Sequence, residues 1–204
     1  MSGKPLAPAT ERNSRPILDV LRVEFRDLET VLEIGSGTGQ HAVYFGAELG
    51  YLSWQTSDVR ENHAGIQAWL RDAGLHNVRE PLDLDVLTAE TLTTGFDGVF
   101  SANTAHIMSF KAVEKMFSLL NSVLGANGVF VLYGPFRQNG EFNSASNADF
   151  HKSLRQRDSD MGIRDLEDLD HLASEGGMQR ARLYALPANN HIVVWVKDST
   201  GRTP

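Results

Sequence analysis

Residues 31–41 read VLEIGSGTGQH: an apolar run, three glycines within five residues, and the start of an amphipathic segment. A strand that enters a glycine-rich turn and leaves it as a helix aims backbone N–H groups and a helix N-terminus at the carboxyl edge of a sheet, where nucleotides dock. The bland alternative is a tight turn that only joins two elements, which three glycines in a strand-to-helix context make the weaker reading.

The rest of the chain supports a layered α/β fold, because short strand-like runs alternate with longer helical ones. Strands are expected over 30–34, 53–58, 78–82, 96–102, 128–133, 178–186 and 191–197. Helices are expected over 16–26, 40–49, 62–73, 111–124, 150–157 and 164–174, with Gly50, Gly74 and Gly125 as left-handed stops to three of them. Only the linker LPANN separates the last two strands, so they read as an antiparallel pair closing an otherwise parallel, three-layer Rossmann-like sheet of seven strands. The 204 residues are expected to form a single domain.

Composition removes several function classes. The absence of cysteine excludes disulfides, thiolate nucleophiles and Cys-ligated metals, and fits a reducing compartment. The first residues lack the apolar core of a signal peptide and no run reaches membrane-spanning length, so a soluble, cytoplasmic protein is the expectation. A formal net charge of -7 disfavours a broad surface for nucleic-acid phosphates. The seven histidines show no ligand spacing on one helical face, and no G-x-S-x-G elbow is present, so neither a metal site nor a Ser-His-Asp hydrolase is expected.

The glycine spacing narrows the cofactor. A dinucleotide turn reads G-x-G-x-x-G, but here Gly35, Gly37 and Gly39 alternate, Gln40 stands in the third glycine's place, and Glu33 precedes the turn. A carboxylate there would repel a pyrophosphate and attract a cation. S-adenosylmethionine carries a sulfonium and an ammonium group and no phosphate. At the end of the second strand Asp58 can accept both ribose hydroxyls, a feature NAD would share, or it can cap the following helix. After the third strand LDLDV offers Asp83 and Asp85 to an adenine amino group, with Asp85 the preferred candidate.

Together the E-x-G-x-G-x-G motif, the acid closing the second strand and the terminal antiparallel pair resemble the class I S-adenosylmethionine-dependent methyltransferases, over about residues 30–197. A narrower likeness lies in ERNSRPIL, LYGPF, SASNADFHKSLRQRD, GIRDLEDL and LPANNHIVVWV, which are similar to the methyltransferase-like family labelled domain of unknown function 938. The chain departs from that family's pattern at Leu186, where methionine is usual, at Asn143, where threonine is usual, and at His151, which replaces an acid. Two of these border the expected acceptor site.

The resemblance implies an enzyme that moves a methyl group from S-adenosylmethionine to a small-molecule acceptor by in-line displacement. It also implies that residues 1–29 form an arm and helix over the cofactor, with Arg12 reaching the methionine carboxylate and Asn103 near the methyl donor. His106 and Tyr133 are the catalytic candidates, against the alternative that a lone histidine is structural. Arg137, Asn143, Ser146 and Asn147 in the long loop after the fifth strand, and Asn189 and Asn190 in the hairpin, are the substrate-binding candidates. Their bland counterparts are a solvated loop and a tight turn. Two other readings stay open: a protein that binds S-adenosylmethionine without methylating, and methylation of RNA or protein.

Overall fold

The computed structural model describes residues 4–89, 92 and 95–199. Residues 1–3 of the expected arm and 200–204 of the expected domain lie outside them. The described chain runs α1 (Pro8–Glu24), β1 (Thr30–Ile34), α2 (Gln40–Glu48), β2 (Ser53–Asp58), a 3-10 turn (Arg60–Asn62), α3 (His63–Ala73), β3 (Val78–Asp83), β4 (Phe96–Ala102) and α4 (Phe110–Val123). It continues through β5 (Leu124–Gly134), β6 (Phe136–Gln138), β7 (Glu141–Phe142), α5 (Ala145–Arg157), β8 (Arg164–Asp165), α6 (Leu166–Glu175), β9 (Met178–Leu186) and β10 (Asn190–Lys197).

One sheet has the order β3-β2-β1-β4-β5-β10-β9. Strands β3 to β5 pair in parallel, and β10 runs antiparallel between β5 and β9. The expected antiparallel pair is therefore present, with the final strand inserted inside the edge. The order reverses between β1 and β4, so their carboxyl ends diverge and open a crevice.

Alternating side chains on each strand feed two cores. Leu32, Val99, Phe130, Leu132 and Trp195 pack under α4 and α6, while Val31, Phe100, Val131 and Val194 pack under α1, α2 and α3. On the second face Phe45 and Phe100 meet edge-on at 5.4 Å, and both lie against Trp54. Among the described residues no helix is long and apolar enough to cross a membrane.

Several boundaries move, each for a local reason. α1 begins at Pro8, which suits the first turn, and it carries Pro16 inside at the loss of one intrahelical bond. α5 begins upstream of the expected residue 150 because Ser144 caps it, accepting from Asn147 N. Arg164 and Asp165 pair with β6 rather than starting a helix, and Asp165 then caps α6. Gly74 adopts the expected left-handed cap, but Gly50 and Gly125 do not, since Leu49 and Leu124 end their helices. The small β7-β6-β8 sheet has strands too short for alternation to reveal.

Two tethers hold α1 across the sheet. Near its end Glu24 accepts from Arg182 Nε at 2.6 Å and from the Tyr184 hydroxyl at 2.5 Å, both on β9. Ahead of it Ala7 N donates to Gln40 Oε1 at 2.6 Å, and Pro5 accepts from Trp69 Nε1 at 2.8 Å.

Glu33 shares the face of Val31 and is buried. Its Oε2 accepts from Trp54 Nε1 at 3.1 Å and Ser36 Oγ at 2.9 Å. Burial pushes its carboxyl up to about 7, against the pull of those two donors. The folded chain thus keeps a proton that the unfolded chain releases, so this term favours folding fully below about pH 4.5 and weakens as pH rises toward 7. Glu33→Gln keeps an oxygen for both donors and does not titrate. We expect the stability of Glu33→Gln relative to the parent to rise by about 2 kcal/mol between pH 5 and pH 8 in urea denaturation. A difference that stays constant with pH would show that Glu33 is ionised throughout.

Candidate active site

The crevice is built around the turn after β1. Gly35, Gly37 and Gly39 all have positive φ, at 75°, 58° and 89°. A Cβ on Gly35 would lie 2.6 Å from Thr104 Cγ2, and one on Gly39 would lie 2.9 Å from Ile66 Cα in α3. Those two glycines let the loop after β4 and helix α3 close on the turn. A Cβ on Gly37 would meet no protein atom, because Gly37 faces the crevice itself.

The turn is tied to the end of β2. Gly35 N and Ser36 N both donate to Ser57 O, at 3.1 and 2.9 Å, and Gly37 N donates to Asp58 Oδ2 at 2.7 Å. Asp58 Oδ1 accepts from Val59 N and Asn62 Nδ2, both at 2.8 Å. Asp58 is thus not the cap of α3. It braces the turn, lines the crevice, and keeps one acceptor direction on Oδ2.

The crevice encloses about 530 Å³. Its floor is Gly35 to Thr38 and Asp58, one wall is Ala102 to Thr104 with His106, and Ala7, Ala9 and Thr10 close it from the N-terminal side. Helix α5 covers the far wall with Phe150, Leu154 and Arg157. His106 is 7% exposed and meets Phe150 edge-on at 5.4 Å. Burial, helped by the Arg164 charge, pushes its imidazole down to about 4. At neutral pH the ring is uncharged and a weak base. Arg164 holds the same loop from behind, its Nε donating to Ala105 O at 2.9 Å and its guanidinium also reaching Met108 O.

A second cavity of about 220 Å³ adjoins the first. Arg12, Asn13 and Pro16 of α1 form one wall, Tyr133 lies at the end of β5, and Pro187, Ala188 and Asn190 come from the hairpin. Asn103 lines both cavities, in a left-handed conformation (φ 60°) with its N donating to Tyr133 O at 2.9 Å. Burial pushes the Tyr133 phenol up, with the amides of Asn13 and Asn190 and the charge of Arg12 opposing. Tyr133 is therefore a hydroxyl donor at neutral pH. Asn13 is positioned from beneath by His41, whose Nε2 lies 2.8 Å from Asn13 Oδ1.

Of the residues singled out in the sequence, Gly35, Gly37, Asp58, Asn103 and His106 converge on the larger crevice. Arg12, Asn103, Tyr133 and Asn190 converge on the smaller one. Gly39 serves packing, and Glu33 is turned into the core beneath the turn. Asp85 lines neither cavity: its Oδ1 accepts from Leu87 N at 2.9 Å in a local turn, and the neighbouring Asp83 is engaged by Arg60.

The asparagine-rich loop also lies apart from both cavities. Asn143 Nδ2 and Asn147 Nδ2 each donate to Asn189 O at 3.0 Å, and Asn189 Nδ2 donates to Ser146 Oγ at 3.3 Å. These four residues bolt the start of α5 to the hairpin, where Ala188 and Asn189 take the left-handed angles of a tight turn. Arg137 faces Asp165 at 3.7 Å and lies over the Phe142 ring, within the small sheet.

Sequence reasoning missed Asn62 and the face of α5. Asn62 stands four residues beyond Asp58, and Phe150, Leu154 and Arg157 recur at helical spacing, so both were accessible to a pattern argument.

Comparison with known proteins agrees with this architecture. An O-methyltransferase family protein from Burkholderia thailandensis superposes with a TM-score of 0.82 at 14% identity, over 94% of this chain and 58% of that one. Human N-acetylserotonin methyltransferase, solved with S-adenosylmethionine, gives a TM-score of 0.74 at 13% identity, over 93% and 53%. PigF, solved with S-adenosylhomocysteine, gives 0.75 at 16%, over 92% and 56%. This chain spans a little over half the length of these proteins. At such identities the likeness is one of fold, that of the class I methyltransferases. The family model described as "Protein of unknown function (DUF938)" matches residues 4–197, and the chain belongs to that family.

Proposed function

We propose that this chain forms a methyltransferase domain that moves a methyl group from S-adenosylmethionine in the larger crevice to a small-molecule acceptor in the smaller cavity. The observation that carries this reading is the pair of cavities meeting at Asn103, one of them built on an alternating glycine turn with an acid beside it.

The residues of the larger crevice fit the cofactor. Its volume lies within the range of small-molecule sites. Gly37 leaves backbone room for a ligand, and the spare acceptor direction on Asp58 Oδ2 suits a ribose hydroxyl. Bound there, S-adenosylmethionine would supply a methyl carbon activated by its sulfonium leaving group. The chain's own contribution is alignment: Asn103 at the junction and Tyr133 and Asn190 beyond it orient the acceptor so that its lone pair faces that carbon. His106, uncharged at neutral pH, serves as a hydrogen-bonding wall rather than a strong base. The buried Leu154 and the partly exposed Phe150 make that wall apolar.

Asp58→Ala removes the brace of the turn and the acceptor for ribose. We expect calorimetric titration to show S-adenosylhomocysteine affinity falling about 10- to 100-fold in Asp58→Ala. Unchanged affinity, or tight NAD binding by the parent, would remove the reading. Labelled methyl transfer into a metabolite extract, with Asp58→Ala as the inactive control, tests turnover itself.

His106 sets a pH expectation. Its ring protonates near pH 4, so the transfer rate should show no inflection between pH 6 and 8 that Glu33→Gln leaves in place. An acid limb centred near 6.5 and abolished in His106→Gln would mean that His106 is exposed during turnover and acts as the base.

A further inference from the structure

Resting on that reading, we infer that the smaller cavity takes a compact carboxylate, held by the Arg12 guanidinium and by the amides and hydroxyl of Asn13, Asn190 and Tyr133. The anion is the acceptor's own, not the carboxylate of the cofactor.

The argument starts from α1. Ala9, Arg12, Asn13 and Pro16 stand at intervals of three, one and three, so a single helical face forms the wall. The tethers at Gln40 and Glu24 hold that face in place from both ends of the helix. Arg12 is the only charged residue of the lining, and among the described residues it makes no ion pair. No acid lines the cavity, so a cationic acceptor would meet the Arg12 charge without a carboxylate to offset it.

The polar groups supply donors: the Asn13 and Asn190 amides gather around the Tyr133 oxygen, and Asn190 Nδ2, which also donates to Pro187 O at 3.4 Å, has two N–H bonds to give. Asn13 commits its oxygen to His41, which leaves its NH2 group to the cavity side. Tyr133 keeps its proton at neutral pH and offers an O–H. A fork-shaped guanidinium with amide and phenol donors matches the two oxygens of a carboxylate, and charge assistance strengthens each bond. Ala9, Pro16, Pro187 and Ala188 supply apolar walls for the remainder of the molecule. At about 220 Å³ the space is below that used by drug-sized ligands, which favours a compact acid over a peptide or a nucleic-acid strand.

The rival use of Arg12 is to hold the methionine carboxylate of S-adenosylmethionine. Arg12 does not line the larger crevice; the two spaces share Ala9 and Asn103. Calorimetry with benzoate, benzamide and benzylamine, run with and without saturating S-adenosylhomocysteine, separates the two. We expect benzoate to bind about tenfold or more tighter than benzamide, with benzylamine weakest. Arg12→Gln should erase that preference and leave S-adenosylhomocysteine affinity within about twofold, and Arg12→Lys should retain part of it. Equal binding of benzoate and benzamide, no binding of benzoate, or a preference that survives in Arg12→Gln would overturn the proposal. So would a tenfold or greater loss of S-adenosylhomocysteine affinity in Arg12→Gln, which would assign Arg12 to the cofactor. Failure of the parent to bind S-adenosylhomocysteine would instead sink the methyl-transfer reading, and the titrations without it would still decide the carboxylate preference.

Discussion

The hydrogen bond from Gly37 N to Asp58 Oδ2 is the constraint on which the site depends. It joins the turn after β1 to the end of the neighbouring strand β2, beside the β1–β4 boundary where sheet order reverses, and so fixes the backbone of the turn against the crevice. The rest follows by contact: Gly35 admits Thr104 and Gly39 admits α3, and either approach would be blocked by a side chain. Glu33 supports the same turn from inside the core through Ser36. One acid shapes the turn from the crevice and the other from below.

Helix α1 completes what the sheet begins. It belongs to neither of the alternating strand-helix units, yet its N-terminal residues close the larger crevice and its next turns wall the smaller one. The Glu24 contacts to Arg182 and Tyr184 secure its far end to the edge strand, and the His41 ring holds Asn13 in the middle. Displacing α1 would therefore open both cavities together. That coupling gives a physical reason for a long helix ahead of the first strand.

Much of the fold was legible because it rests on period and on glycine. The β1–turn–α2 junction could be read from VLEIGSGTGQH alone, and the LPANN linker announced the antiparallel closure. Where β10 inserts was not legible, because insertion is decided by which edge buries Val193 and Trp195 on one face and Ile192 and Val194 on the other. The site was legible in part for a similar reason. Glycines and Asp58 act through backbone geometry, which local sequence encodes, and they fall where spacing put them. Asn143, Ser146, Asn147 and Asn189 looked like pocket residues because polar side chains serve equally to bind a ligand or to satisfy a neighbouring carbonyl. Only their partners across the fold, Asn189 O above all, distinguish the two uses. Arg12 could be placed over the crevice from its position before the first strand, but the cavity it serves depended on which face of α1 turns inward.

The central claim is that the turn after β1 is the seat of an adenosyl cofactor. Backbone amide NMR during titration with S-adenosylhomocysteine tests it most directly. The account predicts that the largest shifts fall on Gly35 to Gly39, Val59, Asn62 and Asn103, with the β9 edge and the outer face of α4 unmoved. Shifts confined to those outer surfaces, or none at the glycine turn at saturating ligand, would contradict it.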